Sequence, residues 1–468
     1  MEFYGHMIAR LDGGGIEKDF DRYSGFVQKG IAGFIVFGGE LGILRKYIGK
    51  LQDSSPQPLI IASDLEQGLG QQVKGGTIFP PAMALSSAYK SCGSDGGEIM
   101  RRVFGAYAEE SLYAGINTIL APVVDINTNP HNPVISVRSF GEDGETVSLM
   151  SGIMIETLQS NGIVACAKHF PGHGDTSIDS HISLPVLNKG MGELEEVELL
   201  PFKKAVAGGV RSMMLAHISV PSIDKTGVPL SISGKAVEYI RNRLGFNGML
   251  MTDALNMGGI LSTGRNKAGE MALNAGVDIL LHPADPDELN DHLKGGNRSY
   301  DIGDVEDFRR GLMVRADKIP DFRSNASLAE MITWRSIQMD QGIGDIKPTS
   351  VVIVKEDKKL SCGIFEGYLR ERFAGIKYFR ISDDRVPGPA LTGNNVLTVI
   401  FSTTAAWKGN MPEWFNGSIQ KIKDRTRLFV VFGNPYVVHE INKPKVLTFW
   451  CSEQAERAAV KKMEEFHE

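Results

Sequence analysis

The segment Lys168-His169-Phe170-Pro171-Gly172-His173-Gly174-Asp175-Thr176, followed at once by Asp179-Ser180-His181, gathers three imidazoles, two carboxylates and an amine. Its Gly and Pro content excludes a helix. A loop so demanding in backbone entropy is suited to holding polar groups over a site. The spacing of His169 and His173 is that of a helical zinc pair, but Phe170-Pro171-Gly172 between them removes the geometry such a pair needs. The sequence therefore gives no ground for a metal. His173 reads as a partner for the loop's own backbone, and Lys168 and His169 as donors to substrate hydroxyls. Asp179 and His181, two residues apart in a turn, suit a carboxylate that fixes the tautomer of an imidazole acting in proton transfer. Asp253, in Met251-Thr252-Asp253-Ala254-Leu255-Asn256-Met257-Gly258-Gly259, reads equally well as a nucleophile or charge stabiliser and as a helix N-cap.

The elements that must carry these residues show as short apolar runs. They are 33–37, 59–63, 117–121, 164–167, 212–216, 249–252 and 277–281. Continuous rather than alternating apolar character suits strands buried on both faces. Amphipathic stretches lie between them, such as Leu194 to Ala207 and Lys235 to Leu244, the latter with Ser233 as N-cap. Seven strands are legible and the eighth is not. Alternation over about 300 residues fits a barrel, typically about 250 residues with insertions. No Gly-x-Gly-x-x-Gly opens a helix after the first run, which weakens a dinucleotide fold. Asp64, Asp125, Lys168 with His169, His217 and Asp253 all fall at or just after the ends of these runs, where a barrel gathers its catalytic groups.

The expected fold class is α/β, a TIM-type (β/α)8 barrel followed by a smaller α/β sandwich domain. The barrel with a connecting helical segment takes 1–344, and the C-terminal domain takes 345–468, with the boundary near Asp345. The second part repeats buried runs at 351–354, 396–401, 428–432 and 446–450.

With 468 residues, 42% hydrophobic and 23% charged, the chain can bury a full core. A formal net charge of -6 offers no electrostatic case for nucleic acid or acidic membranes. No run is long and apolar enough to span a bilayer, and no signal peptide is visible at Met1 to His6. Cys92, Cys166, Cys362 and Cys451 have no metal-type spacing and read as reduced thiols, Cys166 as core packing. These features point to a cytoplasmic protein without a cofactor.

Taken together the motifs resemble glycoside hydrolase family 3, in particular its bacterial β-N-acetylglucosaminidases. The matching segments are Lys168 to Thr176 with Asp179-Ser180-His181, Leu230-Ser231-Ile232-Ser233, and Leu244-Gly245-Phe246 running to Ile260. Asp64-x-Glu66-x-Gly68 with Phe79-Pro80 and Met83-Ala84-Leu85 adds another. Asn132-Pro133-Val134 to Arg138-Ser139-Phe140-Gly141 adds a further one, and Val430 to Tyr436 a looser one.

The resemblance implies a retaining exo-acting β-N-acetylhexosaminidase that cleaves terminal N-acetylglucosamine from short glycans such as peptidoglycan fragments. It implies Asp253 as nucleophile, His181 with Asp179 as mobile acid/base, and Asp64, Arg138, Lys168 and His169 as sugar ligands. Family members usually carry Asp-Gln-Glu-Gly-Gly-Arg-Val-Gln-Arg where this chain reads Asp64-Leu65-Glu66-Gln67-Gly68-Leu69-Gly70-Gln71-Gln72. Leu69 and Gln72 thus stand for two arginines that are not replaceable in bidentate recognition. A phosphorylase on the same scaffold is the first alternative, because a neutral imidazole does not repel phosphate as a carboxylate would. A β-glucosidase and a non-catalytic sugar-binding protein are the others. The oligomeric state is open.

Overall fold

The structure, a computed structural model, describes residues 2–180, 182–296, 299–341, 343, 346–388, 394–403 and 411–465. His181 and Asp345 lie outside the described residues. The chain forms two compact units. The first comprises Met1–Ile78, Met100–Thr128 and Glu142–Ala326; the second comprises Phe79–Ile99, Asn129–Gly141 and Ser327–Glu468.

The first unit is a parallel barrel of β1 (Met7–Asp12), β2 (Gly33–Phe37), β3 (Ile60–Ser63), β4 (Thr118–Ile119), β5 (Val164–Phe170), β6 (Ser212–Leu215), β7 (Met249–Thr252) and β8 (Leu280–Leu281). The sheet order is β7-β6-β5-β4-β3-β2-β1-β8. It closes where Met251 pairs with Ile279 and the Thr252 amide donates to the Ile279 carbonyl at 3.0 Å. Seven of the eight strands coincide with the apolar runs of the sequence. The eighth is β1, hidden because Arg10 and Asp12 interrupt its apolar character; both are exposed while its other residues are buried.

Parity explains the interruption. The barrel interior is packed by residues that include Ile8, Ile35, Ile60, Ala62, Val164, Cys166, Met249, Met251, Ile279 and Leu281. Stepping two residues from these toward the carboxyl ends reaches Arg10 on β1, Asp64 after β3, Lys168 on β5 and Asp253 after β7, because alternate residues of a strand share a face. The register agrees, since Arg10 pairs with Ile35 and Ile35 with Ala62. Four charged residues from the four odd strands thus form the uppermost inward layer, the four-per-layer pattern of such barrels.

Between strands the chain returns through helices. Gly144–Ser160 is capped by Asp143, whose side chain accepts the Thr146 amide. The amphipathic stretch 194–207 divides into Met191–Glu196 and Leu200–Ala207, the latter with Pro201 in its first turn, where proline's missing N–H costs nothing. Ser233 caps Gly234–Glu238 by accepting the Ala236 amide, as expected from the sequence. That helix runs on into a wider π-helical turn over Tyr239–Arg243.

The second unit is a six-stranded sheet of β9 (Gln338–Met339), β10 (Ser350–Lys355), β11 (Lys377–Ile381), β12 (Val396–Phe401), β13 (Thr426–Phe432) and β14 (Lys445–Leu447). Its order is β11-β10-β12-β13-β14-β9, parallel except for β9. Val351 and Ile353 pack with Phe365, Leu369, Ala455 and Ala459 on one face. Val352 and Val354 pack with Phe415 and Ile419 on the other. Helices on both faces are why these strands are continuously apolar. The weaker strands β9 and β11 escape the sequence reading because β11 is only partly buried and β9 has two residues.

Candidate active site

The mouth of the barrel is organised around Lys168. Only 2% of its side chain is accessible, and its Nζ lies 2.7 Å from Asp64 Oδ1 and 2.8 Å from Glu66 Oε1. A buried ammonium needs this pairing, since an isolated buried charge is costly. Asp64 therefore reaches the site paired with Lys168, and Glu66, named by the sequence only within a motif, is the second carboxylate on the same ammonium.

Asp125 is the hidden organiser. It is wholly buried, and its Oδ1 accepts the His169 and His173 amides at 3.1 and 2.7 Å. Its Oδ2 lies 2.8 Å from His169 Nδ1. A carboxylate accepts, so Nδ1 carries the proton and Nε2 is left to face other partners. One side chain thus fixes both ends of the turn that joins β5 to the Gly-rich loop, and it sets the tautomer of His169.

The loop itself is built by close approach. A Cβ on Gly174 would sit 1.7 Å from the Ile126 carbonyl oxygen, and Gly172 has φ +129 with Glu198 beside it. His173 is buried within this loop, its Nδ1 2.6 Å from Thr176 Oγ1 and its Nε2 2.9 Å from Ser180 Oγ. Burial pushes its pKa down to about 4, so the ring is neutral at physiological pH. Lys189 ties the loop's Asp175, at 2.9 Å, to Glu198, at 2.5 Å.

Asp179 is buried. Ser180, its neighbour, is also buried and accepts the Gly259 amide at 2.9 Å. The loop after β5 is thereby stitched to the segment after β7. Asp253 begins that segment, half-buried, with Oδ1 accepting the Ala254 amide at 2.7 Å. The bond is local and starts no helix at Asp253; the next helical residues are Gly258–Leu261. His217 supports the same turn: its Nε2 lies 3.0 Å from the Ala254 carbonyl and its Nδ1 2.6 Å from Ser231 Oγ.

Of the residues singled out in the sequence, Asp64, Lys168, His169, Asp179 and Asp253 lie in the barrel unit and Arg138 in the second unit. Arg138 stands on a turn over Ser136–Arg138, and its Nη1 donates to the Val134 carbonyl at 3.1 Å. Leu69 is buried, and Gln72 Oε1 accepts the Gly38 amide at 3.3 Å. The two positions where arginines are usual therefore serve packing and a backbone bond. Cys166 is core packing, its Sγ 3.9 Å from Met251 Sδ, with burial raising its pKa to about 12. Among the described residues no cluster of three or more His, Cys, Asp or Glu could hold a metal ion, and no helix is long and apolar enough to cross a membrane.

A closed parallel barrel with ionisable groups gathered at the carboxyl ends of its strands has the layout of a barrel enzyme. The profile "Glycosyl hydrolase family 3 N terminal domain" matches residues 28–304, and the chain belongs to that family. It is 34% identical over 247 residues to the "Beta-hexosaminidase A" of Pseudoalteromonas piscicida, covering 50% of this chain and 41% of that protein. It is 30% identical over 276 residues to the "Beta-hexosaminidase" of Tolumonas auensis, covering 58% of this chain and 81% of the relative. In three dimensions it is similar to a glycoside hydrolase family 3 β-N-acetylglucosaminidase from Paenibacillus sp. str. FPU-7. That likeness has a TM-score of 0.79 and 24% identity, and covers 99% of this chain and 96% of the other. The last shows the two-sheet architecture.

Proposed function

We propose that this glycoside hydrolase is a retaining, exo-acting β-N-acetylglucosaminidase that releases terminal β-linked N-acetylglucosamine from short glycans, peptidoglycan fragments among them. The relatives named as β-hexosaminidases support the substrate class. The observation that carries the mechanism is the inward layer at the mouth. Asp253 after β7 faces Asp64 after β3 across the ring, with the Lys168 ammonium between them on β5.

In this reading the Asp253 carboxylate attacks the anomeric carbon as the glycosidic C–O bond breaks, and a covalent glycosyl-enzyme forms. The leaving oxygen takes its proton from His181, oriented by Asp179. The same imidazole then accepts a proton from water as water attacks the anomeric carbon and Asp253 departs as a carboxylate. Asp64, Lys168, His169 and Arg138 bind sugar hydroxyls. Lys168 holds Asp64 and Glu66 in place, and Asp125 leaves His169 Nε2 available to the sugar. An imidazole acid needs no raised carboxyl pKa to hold a proton near neutrality. We place the reaction in the cytoplasm and at the mouth of the barrel.

Asp253→Asn and Asp253→Ala are expected to lower kcat on an aryl β-N-acetylglucosaminide by about three orders of magnitude or more, the scale of losing a nucleophile that forms the covalent intermediate. Normal turnover by either variant would end the reading. Running the assay in phosphate buffer separates hydrolysis from phosphorolysis: sugar 1-phosphate as the product would replace water by phosphate as acceptor.

A further inference from the structure

Three of the four charged residues in the inward layer have fixed protein partners. Lys168 is held by Asp64 and Glu66, and Asp253 accepts the Ala254 amide. The fourth, Arg10, differs. It is exposed and forms no ion pair or hydrogen bond among the described residues. Its one contact of note is with a ring: the guanidinium carbon lies 4.6 Å from the centroid of Phe37. Phe37 in turn lies 5.7 Å from the ring of His282, centroid to centroid.

Its place in the barrel is specific. β1 is flanked by β2 and β8, so Arg10 stands two strands from Asp64 and two from Asp253. It therefore occupies the flank of the mouth opposite Lys168. Nearby acids do not compete for it. Asp64 and Glu66 are bound to Lys168, and Asp12 accepts the Gly14 amide at 3.1 Å within its own turn. His282 is buried and, with burial first and Arg10 second, is pushed down to about 4, so it adds no positive charge. A strand residue facing a barrel interior is ordinarily apolar, as Ile8 below it is. An arginine there gives up packing and presents a planar fork of five donors. A guanidinium over an aromatic ring is held there by the ring's face while its N–H donors can still reach a carboxylate or phosphate.

We propose that Arg10, seated on Phe37, receives an oxyanion carried by the glycan substrate and so determines which glycans the site accepts. The inference rests on the proposed glycosidase reading for the word substrate, but its geometry does not. The oxyanion is a carboxylate or a phosphate ester on the sugar bound between Asp253 and Asp64 or on the group attached to it. Neutral N-acetylglucosamine has no use for the charge.

The test is calorimetric titration at low salt with N-acetylglucosamine, its 6-phosphate, N-acetylmuramic acid and inorganic phosphate. At least one anionic sugar is expected to bind the wild type tenfold or more tightly than the neutral sugar; which one does identifies the source of the oxyanion. Arg10→Met should erase that preference, and Arg10→Lys should restore part of it, since a point charge remains without the fork. Because Arg10 is exposed, thermal melting should show both variants folded. Equal binding of neutral and anionic sugars, a preference that survives in Arg10→Met, no sugar binding at all, or inorganic phosphate binding as tightly as the anionic sugars would overturn the proposal. Hydrolysis of an aryl β-N-acetylglucosaminide without anionic preference sinks this inference and leaves the glycosidase reading standing. Preference without hydrolysis does the reverse.

Discussion

Lys168 shows how a single buried charge can hold a site in shape. Its ammonium is within 2.8 Å of two carboxylates, one of them almost as enclosed as itself. Lys168→Met would leave Asp64 and Glu66 facing each other without a cation, and breaking a buried pair in this way costs about 3–5 kcal/mol. Chemical denaturation should read a loss of that order, larger than for Glu66→Gln, which keeps one carboxylate on the lysine. An equal effect of the two substitutions would mean that the triad does not hold together as described. Lys168 and Asp64 were legible in the sequence because each ends an apolar run. Glu66 and Asp125 were less so, since a carboxylate's role as holder depends on what folds over it. Arg10 was not legible at all: the charge that makes it interesting is what concealed its strand.

Among the elements, the loop after β5 has the most exacting construction. Gly174 is pressed against the Ile126 carbonyl, an atom fixed in the backbone and unable to yield. Gly174→Ala must therefore displace the loop that carries His173, Asp179 and Ser180. A displacement of about 1 Å at a reacting geometry can cost about 100-fold in rate. We expect kcat/KM on an aryl β-N-acetylglucosaminide to fall by about that factor, while circular dichroism shows the barrel intact. Unchanged kcat/KM would show that the loop's position is immaterial to turnover. The sequence announced this loop by its glycines and prolines, but the reason for a glycine at 174 lies in a neighbour almost fifty residues earlier. In the same way 194–207 read as one amphipathic stretch, because periodicity does not register the break between Glu196 and Leu200.

For the whole molecule, the pH dependence of stability follows from its buried imidazoles. His173 is pushed from an ordinary 6.5 to about 4 by burial. Between those values the unfolded chain binds a proton that the folded chain refuses. Its contribution is therefore complete above about pH 6.5 and is lost as pH falls toward 4, at up to about 1.4 kcal/mol per pH unit. Urea unfolding at pH 7 and pH 5 should show a shallower decline for His173→Asn than for the wild type; parallel declines would contradict the buried neutral ring. At this scale the sequence was most informative about the barrel, because parallel strands covered on both sides leave continuous apolar runs. It was least informative about assembly, since nothing local marks Phe79–Ile99 and Asn129–Gly141 as parts of the second unit.

The first strand of the barrel pairs with its last. Met7 pairs with Leu280, and the His6 ring bonds the carbonyl of Asp278, 272 positions away. During synthesis, then, β1 leaves the ribosome long before its neighbour β8 exists. Until β8 emerges β1 has its partner β2 on one side and none on the other, so the flank that bears Arg10 lacks one of its two walls. That flank is thus completed only near the end of the barrel's translation, however early its first residues were made.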